Sequence, residues 1–312
     1  MNNLMTKPNL KSNFTIKSKL LLNILILLLI FTVGCNKHEP TEKETNTNLT
    51  VAVSIVPVAG FVEAIAGDLA NVITVVPPGN SPANYQPTAL EMQLISDADI
   101  YYALQIPTEE ANILPEIYDF NKDLYIVNLR EKIQDYYPLR FINKHSDEND
   151  QTVDPHIWLS PKRVIVMVQS IADSLSELDP LNETTYQKNV DKYIQKLQEL
   201  DQSIKKVVNS MDNKAFMIYH GAYGYFADDY ELQMIAIEAD GKAATPSKIK
   251  EVIDTAKENN INTIFFQEEF SDTQANSIAP EIHGKVIKTS PLSKDYIENL
   301  MDFVNALENS GE

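Results

Sequence analysis

Short apolar runs alternate with longer mixed segments along most of the chain. The runs are rich in Val, Ile, Phe and Tyr, and the segments between them are long enough for helices. The runs cover residues 49–55, 71–76, 98–104, 124–128, 215–219, 233–237, 261–266 and 285–289. Strands that alternate with helices form parallel sheets covered on both faces. The pattern predicts an α/β protein with two lobes, 49–181 and 212–312, each with a parallel-type sheet flanked by helices.

A long helical pattern lies between the two predicted lobes, at residues 182–211. Its apolar residues recur three or four positions apart, and neither Gly nor Pro interrupts it. At about 1.5 Å per residue the helix would be roughly 45 Å long. We expect it to join the lobes as one rigid backbone helix, since helices beyond about 25 residues are uncommon within a compact domain. The alternative is an ordinary surface helix within one lobe.

The amino end has the pattern of a secretory signal. Lysines but no acids precede the apolar run at 20–33, which is shorter than the roughly 20 residues of a membrane-spanning helix. A spanning helix is the alternative to a signal peptide at 1–34. Cys35, the only cysteine, directly follows this segment and resembles the lipidated cysteine of bacterial lipoproteins. The polar residues 35–48 are then a flexible, lipid-anchored tether.

The charge balance excludes one class of partner. The formal charge is −18, and removal of the four leader lysines leaves −22. A nucleic-acid-binding protein needs a basic face for the phosphates, so no nucleic-acid partner is expected. An acidic surface is compatible with the attraction of cations, although most of these carboxylates are expected to be simply solvated.

Two of the five histidines lie on turns between a predicted strand and a predicted helix. His156 precedes Ser160 and Pro161, which are typical of a helix start. His220 follows the run that ends at Tyr219. Parallel sheets bind ligands at the carboxyl ends of their strands, so such turns are where a site is expected. A single histidine is more often structural, but this pair indicates a metal site, for which zinc takes four ligands.

Several blocks of sequence resemble one family. They are 78–88, 154–161, 220–230, 241–242 with 246–247, 264–271 and 290–292. In order and spacing they are similar to the zinc and manganese solute-binding lipoproteins of ABC transporters. The resemblance implies two α/β lobes joined by one rigid helix, with a metal held between them by four side chains. It also implies an ABC permease and its ATPase as partners, and a monomer anchored at the outer face of the cytoplasmic membrane.

Only half of the family's ligand set matches this chain. The resemblance places His156 at the second ligand and His220 at the third. The family's first histidine falls on Ala83, and its aspartate falls on Ser290. A family glutamate also appears here as Gln267. Alanine cannot bind a metal, and a neutral serine hydroxyl is a poor zinc ligand.

Replacement ligands are available at the same edge of the predicted sheets. Glu268 and Glu269 follow one predicted strand, and Glu238 follows another. Asn84 and Tyr85 lie beside the lost first position. A carboxylate could supply an oxygen ligand and water a fourth, giving a more open site. The alternative for Glu268 and Glu269 is that they are solvated acids near a helix start.

The expected function is capture of a divalent metal, zinc or manganese, and its delivery to the permease; no organic cofactor and no enzymatic activity are expected. Neutral imidazoles would bind the metal, so affinity should fall as the pH drops toward about 6.5. One alternative keeps the fold but binds a metal chelate or a small organic solute. Another is a metal-dependent hydrolase, against which no catalytic motif is present. A third is an attachment lipoprotein.

Overall fold

A computed structural model describes residues 48–142, 152–238 and 242–310. Within these residues the chain forms two four-stranded sheets. The strands are β1 (Leu49–Val53), β2 (Ala70–Thr74), β3 (Ile100–Ala103), β4 (Tyr125–Asn128), β5 (Ala215–Ile218), β6 (Gln233–Ala236), β7 (Thr263–Gln267) and β8 (Lys285–Thr289). The predicted fold class, two parallel-sheet α/β lobes with one long helix, is confirmed.

Both sheets have the same strand order. The first is β2-β1-β3-β4 and the second is β6-β5-β7-β8, and every pairing is parallel. In each sheet the chain reverses its direction of winding between the two central strands, β1 and β3 or β5 and β7. Ligands of such sheets bind outside the carboxyl ends of the strands at this switch point. The turns after these central strands are therefore where a site is expected.

Helices cover the sheets. They are α1 (Val56–Ala66), α2 (Ala89–Ser96), α3 (Pro107–Asn112), α4 (Ile117–Phe120), α5 (Leu129–Gln134), α6 (Pro161–Leu178), α7 (Glu183–Ser210), α8 (Gly224–Asp229), α9 (Pro246–Glu258), α10 (Thr273–Ile278) and α11 (Tyr296–Glu308). Among the helices of the described residues, none is both long enough and apolar enough to cross a membrane.

The long helix α7 packs against both lobes. It contacts α1 and α6 on the side of the first lobe and α11 on the side of the second. Its buried residues recur at helical spacing and are Tyr186, Val190, Leu197, Leu200, Ile204 and Val208. These side chains belong to one continuous hydrophobic cluster that runs from the first sheet to the second. The second lobe also has a smaller cluster of its own between β5, β7 and α9.

The predicted start of α6 is correct in position but differs in its contacts. Ser160 is the N-cap residue and Pro161 begins the helix. The serine hydroxyl does not cap the helix; it donates a hydrogen bond of 2.5 Å to Asp229 in α8. The residue therefore links α6 to the second lobe.

The predicted signal peptide, Cys35 and nearly all of the predicted tether lie outside the described residues, as do residues 143–151 and 239–241. The residue boundaries assigned above to signal peptide, tether, lobes and linking helix stay predictions.

Candidate metal site

A cleft of about 840 Å³ lies between the two lobes, at the carboxyl ends of the strands. Its first wall includes Ala83, Ile106 and Arg140, and its second wall includes Met234 and Phe270. His156 and His220 both line it. The cleft thus brings together the two histidines that the sequence placed on separate turns.

The two imidazole rings face each other across the cleft. The Nε2 atoms of His156 and His220 are 3.0 Å apart, and the ring centroids are 4.9 Å apart. Each ring packs on an aromatic neighbour: His220 stacks on Phe270 at 4.6 Å, and His156 lies 5.4 Å from Trp158. Both histidines are mostly buried, with 15% and 18% of their side chains exposed. The aromatic neighbours hold the rings in place and keep water away from their faces.

A carboxylate holds the far nitrogen of each ring. His156 Nδ1 lies 2.8 Å from Asp154 Oδ1, and His220 Nδ1 contacts Glu238 Oε1. A carboxylate accepts, so each Nδ1 carries the proton and each Nε2 presents a lone pair. Carboxylates play this role behind metal-binding histidines in many proteins, where they fix the tautomer and the ring orientation.

The local electrostatics keep the Asp154 carboxyl ionised and the His156 imidazole neutral. Burial opposes ionisation of Asp154, but its hydrogen bonds from His156 and the nearby charge of Arg140 outweigh burial and hold the pKa of the carboxyl below its usual value. Burial lowers the pKa of His156, and Asp154 only partly offsets this. The imidazole is therefore neutral at pH 7, as a metal ligand must be.

The paired lone pairs favour a cation. Two acceptor nitrogens at 3.0 Å repel each other unless a proton or a metal ion lies between them. Two nitrogens bound to zinc at about 2.0–2.1 Å with tetrahedral geometry are roughly 3.3 Å apart, so a small outward shift would admit the ion. Among the described residues, no group of three or more His, Cys, Asp or Glu side chains is already arranged to hold a metal. The Nε2 atoms of His156 and His220 therefore converge without a third such ligand from the described part of the chain already placed beside them.

Gln267 holds the backbone of His220 in place. Its Nε2 donates to the His220 carbonyl at 2.7 Å, and its Oε1 accepts from the His220 backbone N–H at 3.3 Å. The side chain is fully buried. An amide can donate and accept at once, whereas a carboxylate can only accept. Gln267 therefore positions the backbone that carries the ligand.

The two glutamates after β7 lie in different surroundings. Glu269 lines the cleft, is half-buried, and has no side-chain hydrogen bond to another described residue. Burial raises the pKa of its carboxyl. Glu268 does not line the cleft and pairs with Lys288 at 2.5 Å near the surface. Of the two candidates, only Glu269 lines the cleft that the histidine pair lines.

The remaining sequence candidates are dispersed. Ala83 lines the cleft, but Asn84 and Tyr85 do not. The Tyr85 hydroxyl donates to Glu91 at 2.6 Å instead. Ser290 follows β8 and does not line the cleft, whereas its neighbour Pro291 does and accepts a hydrogen bond of 2.9 Å from the Trp158 indole. Glu238 lines the cleft but holds His220.

Sequence reasoning missed Asp154 and Arg140 as site residues. A sequence signal for Asp154 was present, because an aspartate side chain commonly accepts a hydrogen bond from the backbone N–H two residues further along the chain. Asp154 Oδ1 does so with the N–H of His156 at 3.0 Å. No local pattern identifies Arg140, which reaches Asp154 across a 14-residue separation in sequence.

Two parallel-sheet lobes, a connecting backbone helix and an interlobe cleft with converging imidazoles place the chain in the class of two-lobed solute-binding proteins. The chain belongs to the family described as zinc-uptake complex component A, periplasmic, whose model matches residues 51–310. The predicted relationship to zinc and manganese solute-binding proteins is confirmed.

Individual relatives agree with this assignment. The chain is 31% identical over 286 residues to the zinc-binding lipoprotein AdcA of Streptococcus pneumoniae, covering 88% of this chain and 55% of AdcA. It is 29% identical to the manganese-binding lipoprotein MntA of Halalkalibacterium halodurans, covering 84% of this chain and 87% of MntA. A crystal structure of ZnuA is similar with a TM-score of 0.77 and 32% identity, covering 85% of this chain and 100% of that chain. This chain spans about half the length of AdcA.

Proposed function

We propose that the protein is the extracytoplasmic receptor of an ABC transporter and that it captures zinc between His156 and His220. The observation that carries this proposal is the convergence of the two Nε2 atoms at 3.0 Å, each ring backed by its own carboxylate. Manganese is the second choice of cargo, because imidazole nitrogens suit zinc whereas manganese prefers oxygen ligands. The names of AdcA and MntA support both ions as cargo of related proteins.

Glu269 is proposed as the third ligand. It lines the same cleft as the histidines, and bringing its half-buried carboxylate to a cation would compensate the cost of its burial. Two histidines and a glutamate leave one coordination position for water, as in zinc sites with three protein ligands. Ala83 and Ser290 take no direct part in this site.

A titration of paired variants tests the third ligand. Zinc affinity is measured by competition with a chromophoric chelator, using the mature chain, its Glu269→Gln variant and its Glu268→Gln variant. Glu269→Gln should lower zinc affinity by about tenfold or more, whereas Glu268→Gln should bind as the parent does because Glu268 lies outside the cleft. Equal affinities for all three proteins would contradict the assignment of Glu269.

Delivery and anchoring complete the proposed function. The receptor passes its metal to a membrane permease driven by a cytoplasmic ATPase, and lipid on Cys35 holds it at the outer face of the cytoplasmic membrane. Because Cys35 is the only cysteine, Cys35→Ser removes the single attachment point. The variant should move from the membrane fraction to the soluble fraction. Its retention in the membrane fraction would contradict the lipid anchor.

A metal chelate is the alternative to a bare metal ion as cargo, and the size of the cleft supports it. A volume of about 840 Å³ is within the range of small-molecule sites, and Ala83 leaves space where the family has a histidine. Native mass spectrometry of the protein purified from its host distinguishes the two. A mass increment equal to zinc alone supports the bare ion, and a larger increment supports the chelate.

A further inference from the structure

A small ribbon leads into the turn that carries His156. Phe141 and Val153 pair as an antiparallel bridge. Beside them the Asp154 N–H donates to the Arg140 carbonyl at 2.8 Å. Arg140 and Asp154 thus lie opposite each other at the end of the ribbon. Asp154 is two residues before His156 in the sequence.

Arg140, Asp154 and His156 form a chain of contacts. Arg140 Nη1 donates to Asp154 Oδ2 at 2.7 Å, while the other carboxylate oxygen, Oδ1, accepts from His156 Nδ1 at 2.8 Å. Asp154 is 1% exposed, so its negative charge depends on these partners. The guanidinium fixes one oxygen of the carboxylate and the imidazole uses the other.

The same arginine rests on α8 of the second lobe. Its backbone N–H donates to the Tyr225 hydroxyl at 3.0 Å, and its Nε lies 3.3 Å from Asp228 Oδ2. At Gly224 an added Cβ would lie 2.5 Å from the Arg140 guanidinium and 2.6 Å from Asp154 Oδ2. Such distances are too short for any side chain, so the absence of a Cβ at Gly224 lets the ion pair lie directly on the helix.

We propose that Arg140 is a positioning residue that, seated on Gly224 and Asp228, fixes Asp154 and thereby aims His156 at His220. This inference rests on the proposed function. The contact between Arg140 and α8 then does more than hold the lobes together, because a helix of the second lobe sets the orientation of a metal ligand from the first lobe. Loss of a partner behind a metal-binding histidine typically lowers metal affinity 10–100-fold.

Arg163 provides a matched control within the same interface. It also reaches α8, with its Nε 3.0 Å from Asp229 Oδ2 and its guanidinium 4.5 Å from the Tyr225 ring centroid. It is 4% exposed. Within the described residues its side-chain hydrogen bonds go to Asp229 and Pro138, and none goes to Asp154 or His156. If α8 contacts serve only to hold the lobes together, both arginines should affect zinc binding alike.

The experiment compares Arg140→Met and Arg140→Lys with Arg163→Met and Arg163→Lys in the mature chain. Zinc affinity, metal-free melting temperature and the visible absorption of the Co²⁺-loaded protein are measured. Arg140→Met should lower zinc affinity about 10–100-fold and change the Co²⁺ spectrum, and Arg140→Lys should recover part of the affinity. Arg163→Met should lower the melting temperature but leave zinc affinity and the spectrum as in the parent.

The inference is overturned if Arg140→Met binds zinc as the parent does, or if both arginine replacements lower affinity equally. Should Arg140→Met fail to fold, Arg140→Lys and Gly224→Ala carry the test, since the added Cβ must displace the ion pair. Zinc binding that survives in a His156→Ala plus His220→Ala protein would reject the proposed function itself. Zinc binding lost there but normal in all Arg140 and Gly224 variants would reject only the positioning role.

Discussion

Each proposed nitrogen ligand is backed by a carboxylate from the same side of the cleft: Asp154 behind His156 and Glu238 behind His220. The two halves of the site are thus built alike although their sequences differ. In the first half the carboxylate is Asp154, two residues before His156. In the second half it is Glu238, which follows the neighbouring strand β6. Both leave an Nε2 lone pair directed at the same point.

A histidine at position 83 should strengthen the site. Ala83 lines the cleft, so an imidazole at this position could reach the metal. Ala83→His is expected to raise zinc affinity by about tenfold or more, because it adds a nitrogen ligand where water would otherwise bind. Competition titration checks this. Asn84→His adds the same side chain outside the cleft and should leave affinity unchanged; an equal gain in both variants would argue against a site beside Ala83.

His220 could be placed from sequence because it follows β5, at the carboxyl end of a parallel strand. The strand predicted before His156 is not a strand of the sheet: an isolated antiparallel bridge between Phe141 and Val153 precedes this histidine, so only the family resemblance placed it in the site.

The third ligand could not be placed from sequence. Glu268 and Glu269 are adjacent, and residues adjacent in sequence point in different directions, so only the structure separates the one near Lys288 from the one in the cleft. Arg140 was also out of reach, because its role depends on contacts with α8, a helix of the other lobe.

At the scale of elements, a buried glutamate ties the end of β1 and the end of β3 to the start of α3. Glu109 is fully buried and accepts hydrogen bonds from the Ser54 and Tyr101 hydroxyls. Its second oxygen accepts from the backbone N–H groups of Leu104 and Ile106, each at 3.0 Å. These contacts fix the turn after β3, which forms part of the cleft wall.

Removal of this carboxylate should destabilise the first lobe. Glu109→Ala leaves the Ile106 N–H and the Tyr101 hydroxyl without an acceptor, whereas the Leu104 N–H keeps Ser54 Oγ and the Ser54 hydroxyl keeps the Tyr102 carbonyl, each at 3.0 Å. We expect a loss of more than about 2 kcal/mol in the free energy of unfolding. Glu109→Gln should cost less, because the amide keeps a carbonyl oxygen and its NH₂ can donate to the hydroxyls. Urea unfolding measures both. A loss below about 1 kcal/mol in Glu109→Ala would show that the turn does not depend on this group.

The same residue gives a pH dependence. Burial raises the pKa of Glu109 above its ordinary value of 4.5. The folded protein therefore holds the proton more tightly than the unfolded chain, and this contribution to stability is lost as the pH rises from about 4.5 through the folded pKa. Glu109→Gln should reduce the decline in stability as the pH rises above about 4.5. Glu110→Gln at the exposed neighbouring position is the control, and an unchanged decline in both variants would contradict the assignment.

The long helix α7 was predictable because its apolar spacing persists over many turns, which outweighs local ambiguity. Short elements such as α3 and α4 carry no such signal.

Truncation tests the packing of α7: Leu197→Ala, at a fully buried position, should cost about 2–5 kcal/mol of unfolding free energy. Leu181→Ala, which is 83% exposed just before the helix, should cost less than about 0.5 kcal/mol. Similar losses in denaturant unfolding would mean that α7 is not part of the core.

At the scale of the whole molecule, the helix α7 is not the only link between the lobes. A continuous hydrophobic cluster crosses between them, Ser160 bonds to Asp229, and Trp158 bonds to the Pro291 carbonyl. On α1 an added Cβ at Gly60 would lie 2.7 Å from the Lys294 carbonyl oxygen. These contacts do not depend on a metal, so wide opening of the cleft would require breaking a packed core.

Small-angle X-ray scattering should therefore show little change on zinc binding. The metal-free and zinc-loaded mature chain are expected to give superimposable scattering curves and the same radius of gyration, because the interlobe contacts are made between protein groups without a metal. A clearly larger radius of gyration without zinc would contradict a rigid frame and indicate hinged lobes. Measurement of the Arg163→Met variant beside the parent shows whether the interlobe ion pair contributes to this rigidity.

The most direct measurement is a stoichiometric zinc titration of the mature chain beside its His156→Ala plus His220→Ala variant near neutral pH. Saturation at one zinc per chain in the parent and no tight binding in the variant are the predicted results, since the two Nε2 atoms are the only preformed ligands in the described part of the cleft. No binding by the parent, or equal binding by the variant, would contradict capture of the metal between these two histidines.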